Sequence, residues 1–254
     1  FEFRAVGSSQ SIARANMVIN AIVADAIIDI TEKIKQNLEK NNDIFEAVID
    51  VLIDEIKLTK PIRFEGNNYS KEWHEEASKR GLPNLKNTPE ALKVFVADKN
   101  KELLSKLGIL REHELEALYT VHLETYVKTI EIEAETALGI AKTQILPSVV
   151  KYQNQLLDNL KLSKDLAFNV QTKYEYVEKY SKLVDELIID IDSLEEELEK
   201  VEQIDDEQAK AEALAEKILN EKMAKLRKTV DTLETLTDST IWPLPKYNEM
   251  LFIY

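Results

Sequence analysis

The sequence predicts a mainly α fold: one N-terminal strand, left over from a sheet that lies upstream, followed by a bundle of long helices. Three observations predict it. Only 5 Gly and 6 Pro punctuate 254 residues, too few for the tight turns of a βαβ protein. Charged residues make up 31%, and Glu, Lys, Leu and Ala recur at helical spacing. Apolar residues step by threes and fours over long stretches, as on the buried stripe of an amphipathic helix.

The first element is the exception. Phe1-Glu2-Phe3-Arg4-Ala5-Val6 begins by alternating aromatic and charged residues, a strand pattern. No second strand follows, and a lone strand cannot satisfy its backbone hydrogen bonds. The chain also opens on Phe rather than Met, so the partner strands are expected upstream. A polar loop, Gly7 to Ser11, leads into a helix from about Ala13 to Lys40 with the stripe Ile19, Val23, Ile27, Ile30, Ile34, Leu38. Asn41-Asn42-Asp43 breaks it. A second helix carries Phe45, Val48, Ile49, Leu52, Ile53 and Ile56 and ends near Pro61. After a loop, a short helix starts at Ser70 and stops at Gly81, a fitting residue just past a C-cap. Thr88-Pro89-Glu90 reads as N-cap, first-turn proline and acidic first turn. Short helices continue to Gly108.

From about Arg111 the helices become very long. One reaches about Leu166, with Pro147 as a kink or break. Its stripe Ile130, Ala134, Ala137, Ala141, Ile145 is rich in small residues that admit a close neighbour. The next spans about Asn169 to Glu202, with the heptad-like seam Leu183, Leu187, Ile191, Leu194, Leu198, Val201. That seam is expected to pack against the helices around Ile130–Ile145 and Leu226–Leu233, with Glu195-Glu196-Glu197 as a solvated face. Ile204-Asp205-Asp206 turns the chain into a last helix ending near Leu236. The tail Ile241-Trp242-Pro243-Leu244-Pro245 is extended, because each proline biases its predecessor away from helix. We find no internal repeat.

Composition excludes several function classes. The formal net charge is −14, which disfavours nucleic acid and anionic membrane as partners, since both need a basic footprint. Without cysteine there is no disulfide or thiolate chemistry. No apolar run approaches the ~20 residues of a membrane span, and Phe1 to Gln10 lacks the plan of a signal peptide. A soluble, cytoplasmic protein is expected. Neither GxxxxGK[ST] nor GxGxxG is present. His74, His113 and His122 are scattered, and the residues three before them, Lys71, Leu110 and Tyr119, exclude the Glu-x-x-His pairs of a di-iron bundle. His113 and Glu116 could share a helix face, as a surface pair.

One pair carries chemistry. On a strand, Glu2 and Arg4 share a face while Phe1 and Phe3 point the other way. The carboxylate suits a hard cation, and the guanidinium fork suits phosphoryl oxygens. Spacing alone leaves open an ordinary ion pair on an exposed sheet face.

Those residues, with Gly7 to Ala13, Asn16 and the run Ala21, Ala24, Ala26, resemble a strand, loop and small-residue-rich helix of glutamine synthetases. Further blocks are similar to the type III family: Asn68 to Trp73, Arg80 to Leu92, Tyr126 to Ile130, Ile132-Glu133-Ala134, Gln144 to Pro147, and Trp242 to Pro245 with Tyr247. One departure is Ala15, where many members carry proline. The resemblance covers the whole chain. It implies the end of a catalytic domain over residues 1–60 and the helical C-terminal extension of type III enzymes over 61–254. It implies that Glu2 ligates the divalent metal on the nucleotide side, and that Arg4 contacts the transferred phosphate, a catalytic and cofactor-binding role. It also implies ATP and Mg2+ or Mn2+, glutamate and ammonia as substrates, the upstream part of the catalytic domain as a partner, and a homo-oligomer, the family forming double-ring dodecamers. On this view the chain alone is inactive, because the other metal ligands lie upstream. The competing expectation is a non-catalytic helical protein-interaction module.

Overall fold

The computed structural model describes residues 11–251. The expected strand, with Glu2 and Arg4, lies outside the described residues. Within them every regular element is helical. The chain divides into two compact units, one up to Thr120 and one from Val121.

The first unit opens with α1 (Ile12–Asn41), capped by the Ser11 hydroxyl, which accepts from the Ala13 N–H at 3.2 Å. Asn42 adopts the left-handed conformation, φ 56°, and its N–H returns to the Leu38 carbonyl. Asp43 then caps α2 (Ile44–Leu58) by accepting from Phe45 N at 2.8 Å. Two residues therefore end one helix and start the next, which folds α1 and α2 into an antiparallel hairpin. Lys33 of α1 bonds Glu55 of α2 at 2.7 Å. The buried contacts on α2 are the small Ala47 and Val51. The larger apolar side chains expected to form its buried face point mostly to solvent: Phe45 is 72% exposed, and Ile49, Leu52, Ile53 and Ile56 are also exposed. On α1, Ile27 is 59% exposed and Val23 is exposed as well. The periodicity is helical as expected, but among the described residues that face stays exposed.

A 3₁₀ turn at Lys60–Ile62 leads to α3 (Lys71–Lys79), capped by Ser70. Gly81, at φ 73°, ends α3 as expected: its N–H bonds the Ser78 carbonyl, and Leu82 N bonds Ala77 O. That doubled return is a Schellman motif, and the left-handed residue in it favours glycine. Gly108 ends α5 in the same way. Helices α4 (Thr88–Phe95) and α5 (Asp98–Lys106) follow. The α4 cap differs from the expected one by a residue. Asn87 Oδ1 accepts from Glu90 N at 2.9 Å, so Thr88 is the first helical residue and Pro89 the second. Asparagine is the stronger cap, and proline is tolerated anywhere in the first turn, where its missing N–H has no partner to lose.

Helix α6 (Glu112–Ile140), a π-helical turn (Ala141–Ile145) and α7 (Leu146–Asp165) form one continuous helical run. Pro147 causes the interruption. Proline has no N–H, and in an α-helix its ring would strike the carbonyl four residues back. The chain widens ahead of it, so that Leu146 N–H reaches Ala141 O, five residues back.

The second unit is a bundle. Helix α8 (Gln171–Glu202) lies along α7, along a second π-helical segment (Leu214–Met223) and along α10 (Ala224–Leu236). A short α9 (Glu207–Ala213), capped by Asp206, precedes that segment, and α11 (Tyr247–Leu251) ends the described chain. The expected seam is buried at Leu187, Ile191, Leu194, Leu198 and Val201, with Leu183 half-buried. Val177, Tyr180 and Val184 extend it toward the helix start. The small-residue stripe is buried at Ile130, Ala134, Ala141 and Ile145. Tyr180 closes one end: its hydroxyl lies 2.8 Å from Thr237 Oγ1, and its ring meets Tyr152 edge-on. The acidic run is not one solvated face. Glu196 is exposed, but Glu195 pairs with Lys142, and Glu197 pairs with Lys200 and Lys217.

Candidate functional site

Glu2 and Arg4 precede α1 in the chain, and α1 is the described element closest to them in sequence. The first half of α1 is held at three points. The Arg14 guanidinium lies 6.0 Å from the Phe95 ring centroid, within cation–π reach. Ala21 is buried in a cluster with Leu104 and Leu115, against which Phe95, Leu107 and Leu110 also pack. Asp25 pairs with Lys106 at 2.8 Å. Lys101 of α5 bonds Glu116 and Glu112 of α6 at 2.7 and 3.0 Å, and those two bonds push the Lys101 pKa up to about 12. Glu116 is thus engaged by Lys101.

The loop block around Trp73 is fastened by Arg80. Its guanidinium sits 5.6 Å from the Trp73 ring, donates to Glu76 at 2.7 Å, and donates to the carbonyls of Pro61 and Arg63 at 3.1 and 3.0 Å. Phe64 stacks on the other partner of this pair, with ring centroids 4.1 Å from Trp73. The hydrogen bond from Arg80, with the guanidinium charge adding to it, holds the Glu76 carboxyl below its ordinary value. Five donors in a planar fork explain how one arginine can meet a carboxylate and two carbonyls while lying on an aromatic face.

In the second unit Asp190 is 2% exposed, on α8 directly before Ile191. Sequence periodicity places it beside the seam rather than in it. Thr229 donates to its Oδ2 at 2.7 Å, and Lys225 Nζ lies 2.7 Å from Oδ1. The carboxylate raises the pKa of Lys225. A cavity of about 720 Å³ opens among α6, the second π segment, α10 and the tail, with Ile145, Leu219, Met223, Val230 and Trp242 in its walls. Trp242 is buried, and among the described residues its indole N–H has no hydrogen-bond partner. Arg227 and Asp231, also in the walls, pair with each other at 2.6 Å.

Among the described residues no group of three or more His, Asp or Glu is placed to hold a metal, and no helix is long and apolar enough to cross a membrane. The described residues thus offer packing, caps and ion pairs, while both expected site residues, Glu2 and Arg4, lie outside them. The signals missed in the sequence are tertiary ones: Asp190 meets its partners from a helix some 35 to 39 positions away only because α8 and α10 run side by side.

Comparison with known proteins places this architecture. Residues 47–164 match the glutamine synthetase C-terminal domain. The chain is 33% identical over 258 residues to a glutamine synthetase of Bacteroides fragilis (strain YCH46), covering 99% of this chain and 35% of that protein. It is 33% identical over 264 residues to a type-3 glutamine synthetase of Dictyostelium discoideum, covering 100% of this chain and 35% of that one. A glutamine synthetase of Butyrivibrio fibrisolvens is 30% identical over 220 residues, 86% of this chain. The chain spans about a third of the length of the curated relatives it matches. Along its whole length the chain is thus similar to a C-terminal portion of glutamine synthetases, a type-3 glutamine synthetase among them.

Proposed function

We propose that the chain serves as the C-terminal part of an ATP-dependent glutamate–ammonia ligase, in which Glu2 supplies one metal carboxylate, Arg4 grips the transferred phosphate, and the helices form an assembly region. One observation carries this: similarity to glutamine synthetases runs along 99% of the chain, while covering 35% of the relative. The remaining length leaves room for the ligands that a single Glu cannot provide. The bare apolar face of the α1–α2 hairpin supports the same reading, since large apolar patches mark surfaces that a further domain or partner covers.

In such a ligase the glutamate γ-carboxylate attacks the terminal phosphorus of ATP, ADP leaves, and γ-glutamyl phosphate forms. Ammonia then adds at the acyl carbon, phosphate leaves and a proton is lost. The phosphoryl group in transfer carries charge on several oxygens at once, and a planar guanidinium can meet two of them while an ammonium meets one. That is the work assigned to Arg4. Glu2 offers a hard oxygen donor of the kind that Mg2+ or Mn2+ prefers, and either cation needs further ligands from upstream. The cofactors are therefore ATP and a divalent cation, the substrates glutamate and ammonia, the partners the upstream part of the catalytic domain and further copies in a homo-oligomer, and the compartment the cytoplasm. Residues 1–60 would close the catalytic domain, and 61–254 would form the extension.

The test is steady-state glutamine formation. The chain alone is expected to show no γ-glutamyl transfer above a Glu2→Ala control. In the full-length protein, Arg4→Lys should cost of order 10²-fold in turnover, by analogy with lost transition-state donors. Glu2→Gln should weaken activity in a way that added magnesium partly restores. Near-normal turnover for both variants would make the pair a surface ion pair and leave the helical interaction module as the better account.

A further inference from the structure

We propose that the cavity among α6, the two π-helical segments, α10 and the tail binds a small, uncharged, largely apolar molecule that carries a hydrogen-bond acceptor, with the indole N–H of Trp242 as the donor that selects it. The site lies wholly within the second unit, so the proposal stands apart from the ligase reading.

The sequence builds the site from three sides. Ala141 and Ile145 come from the π-helical turn ahead of Pro147, and Leu226 and Val230 from α10; all four are buried and close its floor. Leu219 and Met223 of the second π-helical segment add a further wall. Pro243 and Pro245 hold their predecessors, Trp242 and Leu244, out of helix, and both lie in the remaining wall. The tail is anchored there: the Trp242 backbone N–H donates to the Asp238 carbonyl at 3.1 Å, and the Asp238 carboxylate accepts from Thr240 N at 2.7 Å. A π turn carries an extra residue, which widens the helix and rotates the side chains that follow by about 100°. Such turns are frequent at functional sites. Pro147 explains the first one. The second has no proline, yet both contribute side chains to this one cavity.

The walls name the class of ligand. At about 720 Å³ the cavity has the size of a small-molecule site, and its lining is mainly apolar. The charged side chains at its edge balance, Arg227 and Lys246 against Asp231 and Glu234, and Arg227 is already paired with Asp231. An ionised ligand therefore meets no net opposite charge. Trp242 differs from the rest of the wall. It is 7% exposed, and among the described residues its N–H is enclosed without a partner. An indole can only donate, and an unpaired buried donor costs free energy that a ligand's acceptor recovers. The fitting molecule thus has an apolar body, no charge and an acceptor such as a ketone or amide oxygen.

The experiment irradiates the full-length protein with benzophenone, an uncharged two-ring ketone that crosslinks to the C–H bonds it touches, and maps the labelled peptides by mass. Labels are expected on the cavity walls, at Leu219 and Met223 above all. Ala137→Phe sets a ring into the cavity from a half-buried position of α6 and should remove most of that labelling. Should it fail to fold, Ala224→Phe fills the cavity from the side of α10. Diphenylmethane has the same two rings without the carbonyl, and its affinity is read from its competition with the label. Trp242→Phe should weaken benzophenone about fivefold, the worth of one hydrogen bond, and leave diphenylmethane within about twofold. If that variant does not fold, the wild type decides: benzophenone, despite its better hydrated carbonyl, should bind at least as tightly as diphenylmethane, and weaker binding overturns the proposal. Labels confined to other surfaces, the bare face of the α1–α2 hairpin included, mean that the cavity takes no such molecule or that another part of the assembled protein fills it, and the proposal falls. It falls too if the ring variant leaves labelling unchanged, or if Trp242→Phe weakens both compounds equally or neither. None of these outcomes bears on glutamine formation, which tests the ligase reading separately.

Discussion

The α1–α2 hairpin and the α7–α8–α10 bundle are built from similar amphipathic patterns, yet they treat their apolar residues in opposite ways. In the bundle, Leu187, Leu194, Leu214, Ile218 and Leu233 are fully buried. In the hairpin, Ile22, Ile27, Phe45, Ile53 and Ile56 face solvent, and the seam between the helices is made by Ala47 and Val51. The bundle has enough helices to bury the central seam of α8, although Leu162 and Ile189 on its outer faces stay exposed. Two helices can cover only one another, and a hairpin with apolar residues around more than half of each helix keeps one face bare. The difference teaches that the bundle covers its central seam with its own helices, while among the described residues the hairpin leaves its large apolar side chains exposed.

The largest test of that contrast places a charge in each region. Ile191→Asp puts a carboxylate at a buried position on α8 with no partner, and should destabilise the chain by roughly 3–5 kcal/mol. Ile27→Asp, at an exposed position, should change the stability of this chain by no more than about 0.5 kcal/mol. Urea melts of the two variants compare them directly. In the full-length protein, Ile27→Asp should instead impair assembly, seen as a shift in mass by light scattering. Equal effects on the chain alone would erase the distinction between the regions.

A middle-sized effect comes from the bundle's buried carboxylate. Lys225→Ala leaves the buried Asp190 with, among the described residues, Thr229 alone as partner, and should lower the thermal midpoint of the chain. Asp190→Asn keeps the shape and the Thr229 bond and removes the buried charge, so it should cost less. The reverse order in thermal melts would mean that the ion pair does not stabilise the bundle.

A smaller effect, of opposite sign, is available at the end of α7. Ala167 has φ 59°, and its N–H and that of Phe168 bond the Lys164 and Ser163 carbonyls in a Schellman return. Glycine suits that conformation better than alanine, so Ala167→Gly should stabilise by about 0.5–1 kcal/mol. A loss of stability would show that the side chain contributes more by packing than it costs in strain.

The smallest effect concerns pH. Lys200 holds the Glu197 carboxyl below its ordinary 4.5, with Lys217 adding to the shift and burial opposing it. A carboxyl depressed in the folded state adds stability above its unfolded pKa, and that contribution is lost as pH falls through the folded value. The bundle should therefore lose stability below about pH 4.5, and Glu197→Gln should flatten the slope of a melt series in that window. An unchanged slope would assign the acid sensitivity to other carboxyls.

Much of the fold was legible before the structure. The ends of α1, α3, α8 and α10 fall within one or two residues of where caps, Asn-Asn-Asp, Gly81 and the Asp205-Asp206 turn place them. The break at Pro147 was legible too, though as a kink rather than a π-helical turn. The α4 cap was misassigned to Thr88 because Asn87 and Thr88 are both good caps, and only the hydrogen bond to Glu90 distinguishes them. The second π-helical segment carries no proline, and nothing in its sequence announces it. The candidate site was legible only as a pattern, Glu2-x-Arg4 ahead of a small-residue-rich helix, and its two residues lie outside the described part of the chain.

What the sequence determined by itself is what local physics controls. Helix formation, capping and termination depend on hydrogen bonds within four or five residues and on side chains that reach their own backbone. The spacing of Ala21 between Arg14 and Asp25 was equally fixed by the helical period. Only the tertiary structure decided which face of each helix is covered and by what. It turned the broad stripe of α2 into a narrow Ala47–Val51 seam, drew Asp190 into the bundle beside Thr229 and Lys225, divided the acidic run into pairs with Lys142, Lys200 and Lys217, and set Ala21 against Leu104 and Leu115. Those outcomes join residues tens of positions apart, and burial depends on the surface opposite, which periodicity in one segment cannot specify.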